Sequence, residues 1–586
     1  MKRHPKLAAI LCLSGLLSAC QWDTRPLQSA ERTSNCAQTN QQIDTGYSKQ
    51  VAYVSADHDL NRLQNFLFTT LEANRKEFEA QQTVKGFGAG SSYPQIWLRD
   101  SATIIPLSRY YYGSSYLTSW LEEHLAYQRE DGELYDWIAS GEKSNFLEVA
   151  PRVIEVYRFS KEGGAQKPIT ITADKNTTEA DQESAAVDSA YQVFRITGDR
   201  NWLSKNIKGR SLIDRLNLAL DYLWKNKLDA KLGLIANAFT ADWGDVSPVY
   251  PDQRAIYADS KTPLVAGIYT NAIFYRAAIQ LAELNRENAD DRMADSWKAR
   301  GAAIKENINK HLWQEDKGFY RIHLILTPAL FPNAQDESDI FAMGGNALAV
   351  LNDIADDHQA RKIFDVVVFR KQQFGMSTIA GTLLPSYPNG RFKHPAVSQE
   401  YIYQNGGQWD WFAGRFLLAE FERGYSQRAL RDLIEIARKS ANNNGFYEWH
   451  TRSGEGKGSP KYAGSAGVLG RDIFEGLFGI YLSQSALTLR IRLGDQPGQV
   501  HLYESATDHY VAYQYCREPG VIRLNYESNV AGFGRLHLLL PANQRVAEAQ
   551  LDGNKVSFET ETIGEDHYLI LDSDWKSHEL RVKFSG

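Results

Sequence analysis

One change of hydrophobic period limits what this chain can fold into. From Asp57 to about residue 483, apolar residues recur at helical spacing; from Leu487 onward they recur at every second position. The first helical face carries Leu60, Leu63, Phe66, Leu67, Leu71 and Phe78. Further amphipathic stretches follow at 99–112, 114–128, 183–197, 210–226, 263–285, 290–312, 340–353, 358–369, 408–423, 427–440 and 468–483. Successive helices pair with their neighbours, so this order predicts repeated αα-hairpins. A closed ring of hairpins would bury each inner face. No strict repeat is present, which excludes a regular solenoid. The tail alternates instead, at Leu487–Leu493, Val521–Tyr526, Arg535–Leu540, Lys555–Thr560 and Leu580–Phe584, with turn residues such as Asp552-Gly553-Asn554 between the runs. It predicts a small antiparallel β-sandwich.

The start of the chain has a different character. Lys2, Arg3 and His4 precede an apolar run from Leu7 to Ala19, too short for a permanent span. Leu17-Ser18-Ala19-Cys20 resembles a bacterial lipoprotein cleavage site. The resemblance implies cleavage before Cys20, acylation of its thiol and new amine, and a lipid anchor in the cell envelope. Gln21, where inner-membrane retention would use Asp, points to the outer membrane. A polar segment then reads as a tether. The expected layout is a signal at 1–19, a lipidated tether at 20–55, a helical domain at 56–485 and a β domain at 486–586. Beyond Cys12 and Cys20, only Cys36 and Cys516 remain, and the sequence leaves open whether they pair. No Cys/His cluster has zinc spacing, so no metal is expected. The net charge of -6 gives no basic field for nucleic acid.

Aromatic residues make up 12% of the chain, enough to fill a core or to line a site for sugars. Four segments concentrate them beside carboxylates and glycines. In the first, Trp97 precedes Arg99 and Asp100, which can grip a polyhydroxylated ring or cap a helix. In the second, Asp242 and Asp245 flank Trp243-Gly244; burial beside an indole can turn such an Asp into a general acid, and plain turn chemistry explains it equally. The third runs from Tyr403 to Trp411 and holds Asn405, Gln408 and Trp409. The fourth holds Tyr447, Glu448 and His450, followed by Glu455 in a Gly-rich loop. His450 reads as a structural residue and Glu448 as a second catalytic carboxylate or an exposed loop residue.

In their shared order these segments resemble the six-hairpin glycosidases, which include glucoamylase, the processing α-glucosidases and the amylo-α-1,6-glucosidases. The resemblance spans roughly 57–485 and implies an (α/α)6 toroid. Trp97-Leu98-Arg99-Asp100 looks like the element that holds the non-reducing sugar. Val187-Asp188-Ser189-Ala190, Tyr191 and Thr197-Gly198-Asp199 are similar to a hairpin of the family, and Tyr269-Thr270-Asn271 to its Tyr-x-Asn. Asp242-Trp243-Gly244-Asp245 looks like the segment whose last Asp is the general acid. Tyr403 to Trp409 resembles the pocket-lining segment, and Phe446-Tyr447-Glu448 the segment that supplies the general base. Two departures are Asp410, where the family has Pro, and Ala463–Gly467, where it has a Trp.

The resemblance implies an exo-acting hydrolase of α-glycosidic, chiefly α-glucosidic, bonds that works with inversion. Asp245 would protonate the leaving oxygen and Glu448 would activate water, their carboxyls about 6.5–9.5 Å apart. Trp97, Arg99, Asp100, Asp242, Trp243, Asn405, Gln408, Trp409 and Tyr447 would bind the oligosaccharide. No cofactor and no nucleic acid partner are expected, and the chain would act as a monomer. Hydrolysis of a mannoside or rhamnoside, a disaccharide phosphorylase, a polysaccharide lyase and a non-catalytic glycan-binding lipoprotein are the competing readings.

Overall fold

A computed structural model describes residues 45–80, 82–141, 154–162, 165–331 and 336–585. The expected signal, Cys20 and Cys36 lie outside them. Twelve helices of nine residues or more stand among the described residues. They are α1 (His58–Asn74), α2 (Leu98–Ser108), α3 (Ser115–Ala126), α4 (Gln182–Thr197), α5 (Leu212–Asn226), α6 (Ile268–Glu287), α7 (Asp291–Leu312), α8 (Met343–Leu351), α9 (Asp357–Gln373), α10 (Asp410–Glu422), α11 (Ser426–Asn442) and α12 (Ala463–Arg471).

The even-numbered helices pack on one another in sequence, α2 on α4, α4 on α6, α6 on α8, α8 on α10 and α10 on α12, and α12 returns to α2. Each odd-numbered helix lies outside, against an even-numbered neighbour. The sequences of the two sets explain the division. The outer α7 buries only Ala294, Trp297, Gly301, Ile304, Ile308 and Leu312, one stripe at spacings of three and four. The inner α10 is buried at nearly every position. Inner helices also approach closely. A Cβ on Gly467 of α12 would lie 2.2 Å from the Thr103 carbonyl oxygen of α2. Pro106, inside α2, has no N–H to give the Ala102 carbonyl, which accepts instead from Gln192 Nε2 of α4 at 3.0 Å. The missing helical bond thus becomes a bond between helices.

Two boundaries differ from the sequence reading. Val51–Ser55, expected in the tether, is a strand paired antiparallel with Gly498–Glu504. Tyr53 is buried, and its hydroxyl donates to the Leu60 carbonyl at 2.6 Å, fastening the strand to α1. At the other boundary Ile480–Leu482 is already a strand and pairs with Leu487–Ile491. The body also holds more sheet than helical periodicity could reveal, including four strands at Ile96–Trp97, Trp137–Ser140, Ala165–Asp174 and Ile154–Glu162. The C-terminal part, together with Val51–Ser55, forms a seven-stranded and a five-stranded sheet. The expected all-antiparallel pairing fails at one place: Leu487–Ile491 runs parallel to Phe533–Leu539. Cys516 is disulfide-bonded, with its partner outside the described residues.

The tail is locked to the ring. Arg109, just after α2, pairs with Glu504, and Ser426 at the start of α11 donates to Asp566. A Cβ on Gly424, at φ 78°, would meet the Ile563 carbonyl at 1.8 Å, so only glycine lets this hairpin seat.

Candidate active site

The loops that lead into the inner helices meet at one end of the ring. Trp97 precedes α2, Asp181 precedes α4, Trp409 precedes α10 and Tyr462 precedes α12. Tyr462 Oη donates to Asp100 Oδ1 at 2.9 Å, and the Tyr462 and Trp409 rings meet edge to face. The positive ends of the helix dipoles therefore converge on this end, a setting that favours carboxylates.

Glu448 lies on the strand Tyr447–His450 and is 5% exposed. Its Oε1 accepts from Tyr93 Oη at 2.9 Å and from Tyr403 Oη at 3.2 Å, and its Oε2 from Ser459 N at 2.9 Å. Burial raises its pKa above the ordinary carboxylate value. The three donors oppose that rise and the Asp245 charge adds to it. Glu448 is thus a fixed, largely desolvated carboxyl whose basicity is set by its surroundings.

Asp245 is less deeply buried and stands on the loop before Leu264–Gly267. Gln404 Nε2 donates to its Oδ1 at 2.7 Å, and Asp245 N donates back to Gln404 Oε1 at 3.3 Å. Its carbonyl accepts from Thr178 Oγ1 at 2.9 Å and from Asn176 Nδ2 at 3.2 Å. A rigid frame therefore presents one carboxyl. His394 is near enough to feel the Asp245 charge, although burial still lowers its pKa.

Arg99 lies at the centre of a buried acidic floor. Its Nη1 is 2.6 Å from Glu179 Oε1, 3.2 Å from Asp181 Oδ2 and 3.1 Å from the Trp243 carbonyl. The guanidinium also lies over the Trp243 and Trp411 rings, at 5.7 and 5.5 Å. Burial alone would lower its pKa, yet Glu179 and Asp181 raise it well above the usual value. Asp136, Glu179 and Asp100 are all raised by burial, Asp136 to about 8, with Arg99 opposing the rise in each case. With its pKa near 8, Asp136 can donate as well as accept at neutral pH, which suits a ring of hydroxyls.

The expected site residues divide into two groups. Trp97, Arg99, Asp100, Asp245 and Glu448 come together around this end. Others expected to contact substrate are committed elsewhere. Asn405 is fully buried and ties down its own loop, donating to the Tyr387, Val397 and Gln399 carbonyls and accepting from Tyr387 N. Gln408 is likewise spent on Thr378, Ser377, Thr451 and Arg452. Asp242 turns its Oδ2 to Gly345 N at the start of α8, at 3.1 Å, and burial lifts its pKa to about 6. Trp243 and Trp409 are nearly inaccessible and pack edge to face at 4.6 Å, as a wall behind the site. Tyr447 precedes Glu448 on its strand and packs against Gly456 and His450.

Sequence reasoning had no sign of Glu179, Asp181 and Tyr462, and it placed Tyr403 and Gln404 in a pocket-lining segment without a role for either or for Tyr93. The structure marks one of them by its backbone: Tyr403 holds a positive φ of 42°, with Gly406 at 90° in the same loop, and the expected Asp242 holds 58°. Non-glycine residues keep such backbone only where surrounding structure enforces it, often at functional sites.

The α-L-rhamnosidase from Dictyoglumus thermophilum is similar in structure, with a TM-score of 0.56 and 11% identity over 91% of this chain and 51% of its own. The Streptomyces avermitilis α-L-rhamnosidase, solved with L-rhamnose, gives 0.54 and 13% over 91% of this chain and 42% of its own. The chain therefore spans about half or less of these relatives, and at such identity the likeness concerns the fold. No curated protein sequence matches the chain. A sequence model of the mannosylglycerate hydrolase MGH1-like glycoside hydrolase domain matches residues 93–465, from the Tyr93 that holds Glu448 to the start of α12. With well over half its length in that match, the chain belongs to the MGH1-like glycoside hydrolases.

Proposed function

We propose that the protein hydrolyses a terminal α-glycosidic bond with inversion. Asp245 gives a proton to the leaving oxygen, and Glu448 takes one from the attacking water. The observation that carries this reading is the contrast between the two carboxyls. Glu448 is buried, gripped by Tyr93, Tyr403 and Ser459, and within reach of the Asp245 charge. Asp245 is more open and held by one amide. Two carboxyls in unlike settings suit an acid and a base. The closed acidic floor around Arg99 supports exo action, with the terminal sugar held by Arg99, Asp100, Glu179 and Asp181. Trp97 walls the same pocket.

The ring of six inner and six outer helices supports the (α/α)6 toroid reading, and the two C-terminal sheets support a β-sandwich. The description of the matching family puts α-mannosides of small aglycones beside α-glucosides and α-rhamnosides as candidates. The test is a screen of these three classes, with product anomers followed by NMR and with Asp245→Asn and Glu448→Gln alongside. The reading fails if either variant keeps wild-type activity, or if the first product retains the substrate's anomeric configuration.

The sequence at Leu17–Cys20 further supports a lipid-anchored protein of the bacterial envelope. Membrane fractionation of wild type and Cys20→Ala tests this, and an anchor that survives the substitution counts against it.

A further inference from the structure

Below the acidic floor, all six inner helices line a small cavity in the bore of the ring. It is walled by Pro106, Asp188, Arg276, Arg415, Arg471 and Asp472, among others. Pro106, Arg276 and Arg471 also border a second, larger hollow that includes Arg109 and Arg195.

Three guanidiniums therefore share one enclosed space. Two have partners: Arg276 pairs with Asp188 at 2.9 Å and Arg471 with Glu475 at 2.6 Å. Arg415 makes no ion pair among the described residues, and its Nη1 is buried without a hydrogen-bond partner. Asp472 is fully buried, and neither of its carboxyl oxygens has a partner. Burial pushes its pKa well up, against the nearby Arg471 charge, and so favours the protonated form. Burial, together with repulsion from Arg471 and Arg415, lowers the pKa of Arg276. Arg415 faces Tyr269 and feels the Asp100 charge, yet its unpartnered Nη1 and the unpartnered Asp472 carboxyl line the same cavity without satisfying each other, an arrangement that a small bound group would relieve. Surplus positive charge excludes a cation as the occupant. The confined space between packed helices excludes a sugar.

We infer that the bore binds one small monovalent anion of the halide class, held by Arg415 beside Arg276 and Arg471 and by a hydrogen bond from the Asp472 carboxyl. The site is separate from the proposed catalytic carboxyls, and its lining does not depend on which sugar is cleaved. It is also coupled to the site above. Arg415 stacks on the Trp411 ring at 4.9 Å, and Arg99 lies over the same ring at 5.5 Å. The anion would therefore neutralise a charge one ring away from the sugar pocket.

The test uses the whole protein, dialysed into sodium methanesulfonate and titrated with chloride at fixed ionic strength. Chloride-35 NMR line width and Trp fluorescence report binding. The expected result is one saturable chloride effect, displaced by bromide, and weakened roughly tenfold or more in Arg415→Gln, as expected for a lost charged hydrogen bond. Asp472→Asn keeps a donor and should keep binding. Crystals grown in bromide give a check that needs no variant, an anomalous peak within hydrogen-bond distance of Arg415. Water alone at that position, no saturable chloride effect in wild type, or an unchanged effect in folded Arg415→Gln would each overturn the inference.

Discussion

Gln404 holds Asp245 twice, through its amide nitrogen on the carboxylate and through its amide oxygen on the backbone N–H. The same side chain therefore sets both the rotamer of the carboxyl and the position of the loop that carries it. Gln404 is a positioning residue in this frame.

Removing that hold should lower turnover more than binding. In Gln404→Leu, kcat is expected to fall about 10- to 100-fold with KM little changed, because small misplacements of a reacting group are costly. Gln404→Glu replaces the amide donor by a second carboxyl against Asp245 and should lose at least as much kcat. A KM that rises in step with the fall in kcat in both variants would mean that Gln404 only supports the loop.

The acidic limb reports Glu448. A base must be ionised, and burial raises the Glu448 pKa, so activity should begin to fall above the usual carboxylate range as pH is lowered. Tyr93 donates to the ionised form and so opposes the rise. In Tyr93→Phe the limb should move further up in pH, and in Tyr403→Phe it should move the same way. A shift to lower pH in either variant would contradict the role given to the phenols.

The acidic floor should cost stability at neutral pH. The Asp136 pKa is raised to about 8 by burial, against Arg99 and Lys175, which oppose the rise. In this linkage the unfolded chain ionises first as pH rises. Asp136 then contributes stability that is full below the ordinary carboxylate pKa and is lost as pH climbs to about 8. Asp136→Asn removes that dependence. Its melting temperature relative to wild type should rise between about pH 4 and pH 8 and then level off. A flat difference across that window would refute the assignment.

The closeness of α2 and α12 can be tested with one methyl group. In Gly467→Ala the new Cβ would sit 2.2 Å from the Thr103 carbonyl, and overpacking of this kind costs about 1–3 kcal/mol. Denaturant unfolding should show a lower midpoint, with the largest loss of activity where Asp100 and Tyr462 must meet.

The sequence was most informative where one physical pattern dominated. The stripe on α7 and the unbroken burial of α10 are direct images of an outer and an inner helix, so order and number of helices were legible. Short strands such as Ile96–Trp97 leave no period to read. Within the site the carboxyls at 245 and 448 stood out by their neighbours. Among the amides the sequence pointed to Asn405 and Gln408, whereas Gln404 is the one on Asp245, because a loop with Tyr403 and Gly406 at positive φ points consecutive side chains in unrelated directions. Glu179 and Asp181 were hidden for another reason: acids before a helix are ordinary first-turn chemistry. Only the fold places Arg99 opposite them.

Val51–Ser55 and its partner strand lie at opposite ends of synthesis. Ser55 and Gly498 are paired across 443 residues (498 − 55). At about 5–20 residues per second, the first strand waits roughly 20 to 90 s for the edge it completes. Throughout that time α1 is anchored to a strand with no sheet, and Tyr53 has the Leu60 carbonyl but only part of its buried surroundings. This strand, although made early, is thus secured only when the C-terminal sheet begins to form. A helper that shields one short β-segment would protect the whole nascent protein.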